Sequence, residues 1–309
     1  MRGWWQDLTD LVLPAECGGC GRPRTVLCPE CRAALSGAAP CRVRPVPEPT
    51  GLPVVHAAAP YEDEVRAALL AHKERGALAL AAPLGVALAG AVRAGLGYVR
   101  RPGPDGRLMA PEGRLRLGMG QRWGEGGRPG AGSGQPRLPG ERPGAVGGIG
   151  RGPVLLVPVP SSRRAVRARG HDPARRIALA AAGELRRTGM PTRVLSVLRQ
   201  RRAVADQSGL NSRQRLDNLT GALEVATGSA RLLADGGRVV LVDDLMTTGA
   251  SLTEAGRAVR AAKTRAEGVE LTEVVPRWAG TDEVVDTDCD MICAAVVAAS
   301  PDSFEINRN

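Results

Sequence analysis

Val239-Val-Leu-Val-Asp-Asp-Leu-Met-Thr-Thr-Gly-Ala-Ser251 decides how this chain is read. Val239 to Val242 form an unbroken aliphatic run, the pattern of a parallel strand buried on both faces. Asp243 and Asp244 stand where that strand ends. Thr247, Thr248, Gly249, Ala250 and Ser251 then form a small, hydroxyl-rich turn leading into a helix-periodic run from Leu252 to Ala262. At the carboxyl end of a parallel strand such a turn presents backbone N–H groups and a helix N-terminus outward, and together they cradle a phosphate dianion. Gly249 lets the backbone approach closely. Two carboxylates beside the cradle accept hydrogen bonds from neighbouring hydroxyls, so the fitting ligand is a sugar phosphate with a free cis-diol. An ordinary helix cap needs one polar residue, not two acids and a five-residue hydroxyl-glycine turn.

Working outward, strand signals occur at Val54 to Ala59, Val154 to Val159, Arg193 to Leu198 and Ile292 to Ala299, with helical periods between Ala174 and Arg187. This alternation predicts an α/β domain, a Rossmann-like parallel sheet flanked by helices. Residues 1–45 are cysteine-rich, 50–99 carry the first part of the α/β domain, 153–300 its core, and 301–309 a tail. Residues 100–152 are dominated by Gly, Pro and Arg; they cannot bury enough apolar surface to offset ordering entropy and read as a disordered insert.

Cys17-Gly-Gly-Cys20 and Cys28-Pro-Glu-Cys31 are two C-x2-C knuckles joined by seven residues. Thiolates at that spacing converge on one tetrahedral Zn²⁺, so Cys17, Cys20, Cys28 and Cys31 are the expected ligands of a single structural zinc. A redox C-x-x-C is the weaker alternative, because two pairs stand together. Cys41 is left unassigned, and Cys289 and Cys293 read as core packing.

A second segment, Val154 to Pro173, sets a buried strand before a turn and an arginine-rich stretch. Pro160, Ser161 and Ser162 end the strand, and Arg163, Arg164, Arg167 and Arg169 surround an anion, for which pyrophosphate is the fitting candidate. A basic helix face turned to water accounts equally well for any single arginine.

The Val239–Ser251 run resembles the phosphoribosyl pyrophosphate signature of type I phosphoribosyltransferases. That resemblance implies that Asp243 and Asp244 hold the ribose hydroxyls as the catalytic pair, and that Thr247, Thr248, Gly249, Ala250 and Ser251 hold the 5′-phosphate. It also implies Mg²⁺ bound with the donor, with Pro160, Ser161, Ser162, Arg163 and Arg169 on the pyrophosphate. Val157-Pro-Val-Pro160, Arg167-Ala-Arg-Gly170, Gln207 with Leu210, and Arg213, Arg215 and Asn218 are similar to the ComF competence family, as are the four-cysteine finger and Lys73 near Gly76. His171-Asp172, the insert and the stretch from Glu267 to Asp288 depart from that pattern. Residues 199–218 suit a loop that closes over an anion.

Two functions follow from the resemblance. One is an enzyme moving phosphoribose to an acceptor that no sequence feature names. The other is a non-catalytic donor-binding protein whose finger engages single-stranded DNA in competence and DNA uptake, where Trp4 and Trp5 offer a small stacking platform or simply pack against the finger.

The chain has 309 residues and a formal net charge of +10. That charge suggests an anionic partner, but 40 of its 42 basic residues are arginine, a skew that fits compositional bias as well as nucleic-acid binding. The first ten residues carry acids and lack an apolar core, so no signal peptide is expected and the cytoplasm is the expected compartment. Ala77 to Val92 is apolar, yet interrupted by Pro83 and short for a membrane span; it reads as a buried helix, with no transmembrane segment expected. Oligomeric state is not legible.

Overall fold

The computed structural model describes residues 16–97, 152–202, 212–234, 237–266 and 292–307. The predicted insert falls outside them up to residue 151, as do Trp4, Trp5, Gln207, Leu210, Cys289 and the stretch from Glu267 to Asp288.

The fold is mixed α/β around a mostly parallel six-stranded sheet. Its strands, in chain order, are β1 (Cys41–Val43), β2 (Val54–Pro60), β3 (Val154–Pro158), β4 (Thr192–Val194), β7 (Arg238–Met246) and β8 (Cys293–Ala299), arranged in space as β1-β2-β8-β7-β3-β4. Only β1 runs antiparallel to its neighbour. A separate antiparallel hairpin joins β5 (Leu198–Gln200) to β6 (Leu223–Val225).

The expected strand from Arg193 to Leu198 is therefore two short strands in different sheets. Leu195 still bonds to β3 through its N–H and the Leu156 carbonyl. Beyond it, Val197 and Leu198 turn into a cluster with Leu223 and Val225, so burial of these side chains draws the chain off the sheet edge.

β7 shows why its sequence does not alternate. Val240 and Val242 enter one apolar cluster, Val239 and Leu241 the other, so both faces are covered. All seven residues of β8, largely Ala and Val, are buried in the same way.

Eight helices among the described residues flank these sheets: α1 (Pro29–Ser36), α2 (Asp63–Glu74), α3 (Ala81–Gly95), α4 (Arg163–Arg169), α5 (Pro173–Arg187), α6 (Ser212–Leu219), α7 (Ala230–Ala234) and α8 (Ala250–Ala266). α8 starts two residues before and ends four after the predicted run. Leu252, Ala255, Ala258, Val259 and Ala262 are its buried stripe.

α3 corresponds to the apolar stretch. Leu78–Gly95 is long and apolar enough to cross a membrane, but it lies in the core, with Leu84, Leu88 and Val92 fully buried beside residues of α5 and the sheet. Pro83 does not break it, because it occupies the first turn, where the backbone N–H has no helical partner. α3 and α5 meet at Gly85, where an added Cβ would stand 2.5 Å from Ala180 Cβ and 2.8 Å from the Ala181 nitrogen. Gly85→Ala is expected to cost about 1–3 kcal/mol by overpacking. Urea unfolding followed by circular dichroism checks it, and an unchanged midpoint would refute the tight crossing.

Candidate functional site

β3 and β7 are hydrogen-bonded neighbours, with Pro158 beside Val242 and the Val159 N–H donating to the Val242 carbonyl at 2.9 Å. Both segments singled out in the sequence therefore leave the sheet side by side at its carboxyl edge, where open α/β sheets place their ligands.

The turn after β7 has the expected form. Gly249 is left-handed at φ +75°, and an added Cβ would meet Leu52 at 3.1 Å and Pro45 at 3.4 Å. Glycine is thus required by backbone conformation, in a space that is close-fitting. α8 begins at the next residue, and the Thr253 N–H closes back on the Gly249 carbonyl at 2.9 Å. Asp243, Thr247, Thr248, Gly249, Ala250 and Ser251 line one small cleft with the neighbouring backbone. A larger groove of about 440 Å³ lies elsewhere, between α1, α3 and α5, and contains none of these residues.

The acidic pair is not symmetric. Asp244 is buried and paired with Lys73, from the last turn of α2, at Nζ–Oδ2 2.8 Å. Asp243 is half-buried, and its Oδ1 accepts the Asp244 N–H at 2.8 Å. Burial, and then the charge of Asp244, pushes the Asp243 carboxyl well above the usual carboxylate range. Burial works the same way on Asp244, but the charge and hydrogen bond of Lys73 outweigh it and hold Asp244 below that range. The two carboxyls are thus pushed in opposite directions. Sequence reasoning noted Lys73 only for its place in a family pattern and missed this contact across 171 positions.

Across the edge, Pro160, Ser161 and Ser162 are half-buried. Ser162 caps α4, its Oγ accepting the Ala165 N–H at 3.2 Å. The arginines separate by position. Arg163, Arg164 and Arg167 are exposed, whereas Arg169 folds inward with its Nε 3.7 Å from Glu74, and its Nη1 is buried with no partner among the described residues. An unpartnered guanidinium nitrogen at such an edge is a donor available to an anion. Arg163 stands at the opposite end of the same short helix.

Of the predicted closing loop over 199–218, residues 203–211 lie outside the described residues, while 199–200 belong to β5 and 212–218 to α6, regular structure where the sequence predicts a loop. Glu254 of α8 accepts the Leu223 N–H at 2.9 Å, and Arg257 donates to the Leu223 carbonyl at 2.9 Å and to Glu254. This clasp fixes the hairpin to the helix that follows the phosphate-type turn. Its sequence signal was an acid on the buried stripe of an amphipathic helix.

The four knuckle cysteines come together, with Sγ atoms all within 4.8 Å of one another. Cys20 Sγ and Cys28 Sγ are 3.7 Å apart. That is far longer than a disulfide and matches the edge, roughly 3.8 Å, of a sulfur tetrahedron around zinc with bonds near 2.3 Å. The Cys28 N–H donates to Cys17 Sγ at 3.3 Å and the Cys31 N–H to Cys28 Sγ at 3.5 Å, the backbone support a thiolate set needs. Burial raises Cys17, but the amides of Cys20, Cys28 and Gly19 overcome it and bring the thiol down to about 6; burial and the neighbouring sulfurs push Cys31 strongly upward. The cluster is compatible with a structural zinc.

Gly19 is part of its fit, since an added Cβ would lie 2.7 Å from Cys31 Sγ. Gly19→Ala is expected to weaken zinc binding roughly 10- to 100-fold, as disturbed support around ligands commonly does. Competition with a chromogenic chelator measures it, and unaltered affinity would argue against the tetrahedral arrangement. Cys41 stands apart in β1, and Cys293 is buried in β8, where burial pushes its thiol up to about 11, in keeping with a packing role.

No family model matches the chain, and no match is found among curated proteins.

Proposed function

We propose that this chain binds phosphoribosyl pyrophosphate at the carboxyl edge of its sheet and transfers the phosphoribosyl group, as a type I phosphoribosyltransferase of the ComF kind. The observation that carries the reading is the coincidence of three features at the end of β7: an acidic pair of which Asp244 is held by Lys73, a left-handed Gly249 turn, and the start of α8. Asp243 and Asp244 take up the two neighbouring ribose hydroxyls. Backbone N–H groups of 247–251 take the 5′-phosphate. Arg169, with the Ser161–Ser162 turn, takes pyrophosphate.

In the transfer the bond from ribose C1 to pyrophosphate breaks, and pyrophosphate leaves with the electron pair. An acceptor nucleophile bonds to C1 and gives up its proton. The protein's part is positioning and charge neutralisation. Mg²⁺, a hard cation that keeps several waters, would ride on the donor's own oxygens and neutralise pyrophosphate charge when bound.

Isothermal titration with phosphoribosyl pyrophosphate and Mg²⁺ tests the reading. The unaltered protein is expected to bind, and Asp243→Asn with Asp244→Asn to lose binding while keeping its circular dichroism. Equal affinity in that double variant would sink the site assignment. Release of pyrophosphate across a panel of nucleobases and amines separates transfer from binding alone.

A further inference from the structure

His171 lies between α4 and α5, only 8% exposed, directly after the left-handed Gly170 that ends α4. Its Nδ1 is 3.1 Å from the Arg169 carbonyl and its Nε2 is 3.1 Å from the His72 carbonyl. Both partners are acceptors without a proton to give. A neutral imidazole has one N–H and one lone pair, so it satisfies one contact and sets its lone pair against the other oxygen. An imidazolium satisfies both.

The two carbonyls are not ordinary ones. Arg169 is the last residue of α4 and His72 lies in the last turn of α2, so each belongs to a helix end where carbonyls lack helical partners and partial negative charge gathers. Two such ends converge on one ring. Its neighbour His72, with ring centroids 5.6 Å apart, is suited to the neutral form: burial, with the charges of His171 and Arg176, holds it down against the pull of the Ala77 carbonyl and Asp244. His72 Nδ1 donates to the Ala77 carbonyl.

The bridge joins the two cationic arms of the site. Lys73, next to His72, reaches Asp244; Arg169 presents its unpartnered Nη1. We propose that His171, as an imidazolium joining the carboxyl ends of α2 and α4, is a positioning residue that sets the span between Lys73 and Arg169 and makes donor binding tighten as pH falls. This rests on the donor-binding reading above. The charged and titratable groups around it are His72, Lys73 and Glu74 of α2, Arg169 of α4, Asp172 and Arg176 at the start of α5, and Asp244 beyond Lys73. Loss of the ring proton frees one helix end and loosens the span.

Two measurements test the proposal. The ring ¹⁵N spectrum of the ligand-free protein contains only three histidines, and His171→Gln identifies the signal. At about pH 6 both His171 nitrogens are expected to bear protons, as an imidazolium does; a ring with one bare nitrogen overturns the proposal. Affinity for phosphoribosyl pyrophosphate with Mg²⁺ is then followed from about pH 6 to about pH 8.5, where imidazoles change charge. The unaltered protein should lose roughly tenfold more affinity over this interval than His171→Gln, a coupling of ordinary size between linked sites. The variant carries the donor's own phosphate titration as a baseline, and parallel profiles overturn the proposal. If no donor binds at any pH, the proposed function fails and the positioning role fails with it, while the ring spectrum decides the bridge independently.

Discussion

Removal of the zinc with which the four-cysteine cluster is compatible is expected to unfold much more than residues 16–45. Leu27 and Leu35, carried between and after the knuckles, share one apolar cluster with Leu80, Leu84 and Leu88, and Cys17, Cys28 and Cys31 are buried within it. Gly18 is pressed so closely on Leu80 that an added Cβ would sit 2.5 Å from its Cδ1. A four-thiolate zinc site supplies on the order of 10 kcal/mol to the segment it folds. Losing it exposes the apolar face of α3 as well as the finger. Chelation at neutral pH, or Cys28→Ser, should therefore lower the thermal midpoint of the α/β body, with helix and strand signals lost in one transition. A body that melts at its original temperature after metal removal would show that the finger is energetically separate.

Lys73→Met is expected to produce the second large effect, and its size should depend on pH. Lys73 is 32% exposed and Asp244 8%, so the pair is only partly shielded; removing its cation leaves a buried carboxylate beside another carboxyl. We expect a loss of about 2–4 kcal/mol at neutral pH, somewhat below that of a fully buried pair. In the unaltered protein Asp244 is depressed, so its contribution is present above the unfolded value near pH 4 and is lost as pH falls through the depressed folded value. Asp243 is raised, so it lowers stability progressively as pH rises from about 4 through its raised folded value. Without Lys73 both carboxyls shift upward. The variant and parent should then converge at acid pH below the depressed folded value of Asp244, where both acids are protonated, and diverge toward pH 7. Urea titrations at several pH values decide the matter; a pH-independent difference would mean that Lys73 contributes by packing rather than by charge.

The opposite behaviour of the two acids carries a further expectation. Asp243→Asn alone should stabilise the ligand-free protein at neutral pH by about 0.5–2 kcal/mol, since a functional group held in an unfavourable state is a common reserve of stability. A destabilised variant would contradict the raised carboxyl.

The strand, acidic pair and turn were legible because each has a local signature: an aliphatic run, charge at its end, and a glycine that φ +75° demands. The cysteine knuckles were legible for the same reason. What escaped was contact across distance. Nothing near Lys73 announces Asp244, and nothing near Leu223 announces Glu254 and Arg257, because these pairs exist only once the sheet order β2-β8-β7 and the hairpin are assembled. The split at Leu195 escaped because apolar residues continue through Val197 and Leu198, and periodicity cannot tell which cluster receives them. His171 escaped because its partners are backbone carbonyls, which leave no trace in side-chain pattern.

The small residues that fill β8 and the α3–α5 crossing have a consequence for anyone observing this molecule. The chain has four tryptophans, at positions 4, 5, 123 and 278, and every one lies outside the described residues. Among those residues the aromatic rings of Tyr and Phe are limited to Tyr61 and Phe304, both only partly buried against the apolar clusters. Among the described residues, then, the packed interior holds no tryptophan, and peptide-bond dichroism or amide exchange is the light by which the folding of these residues can be watched.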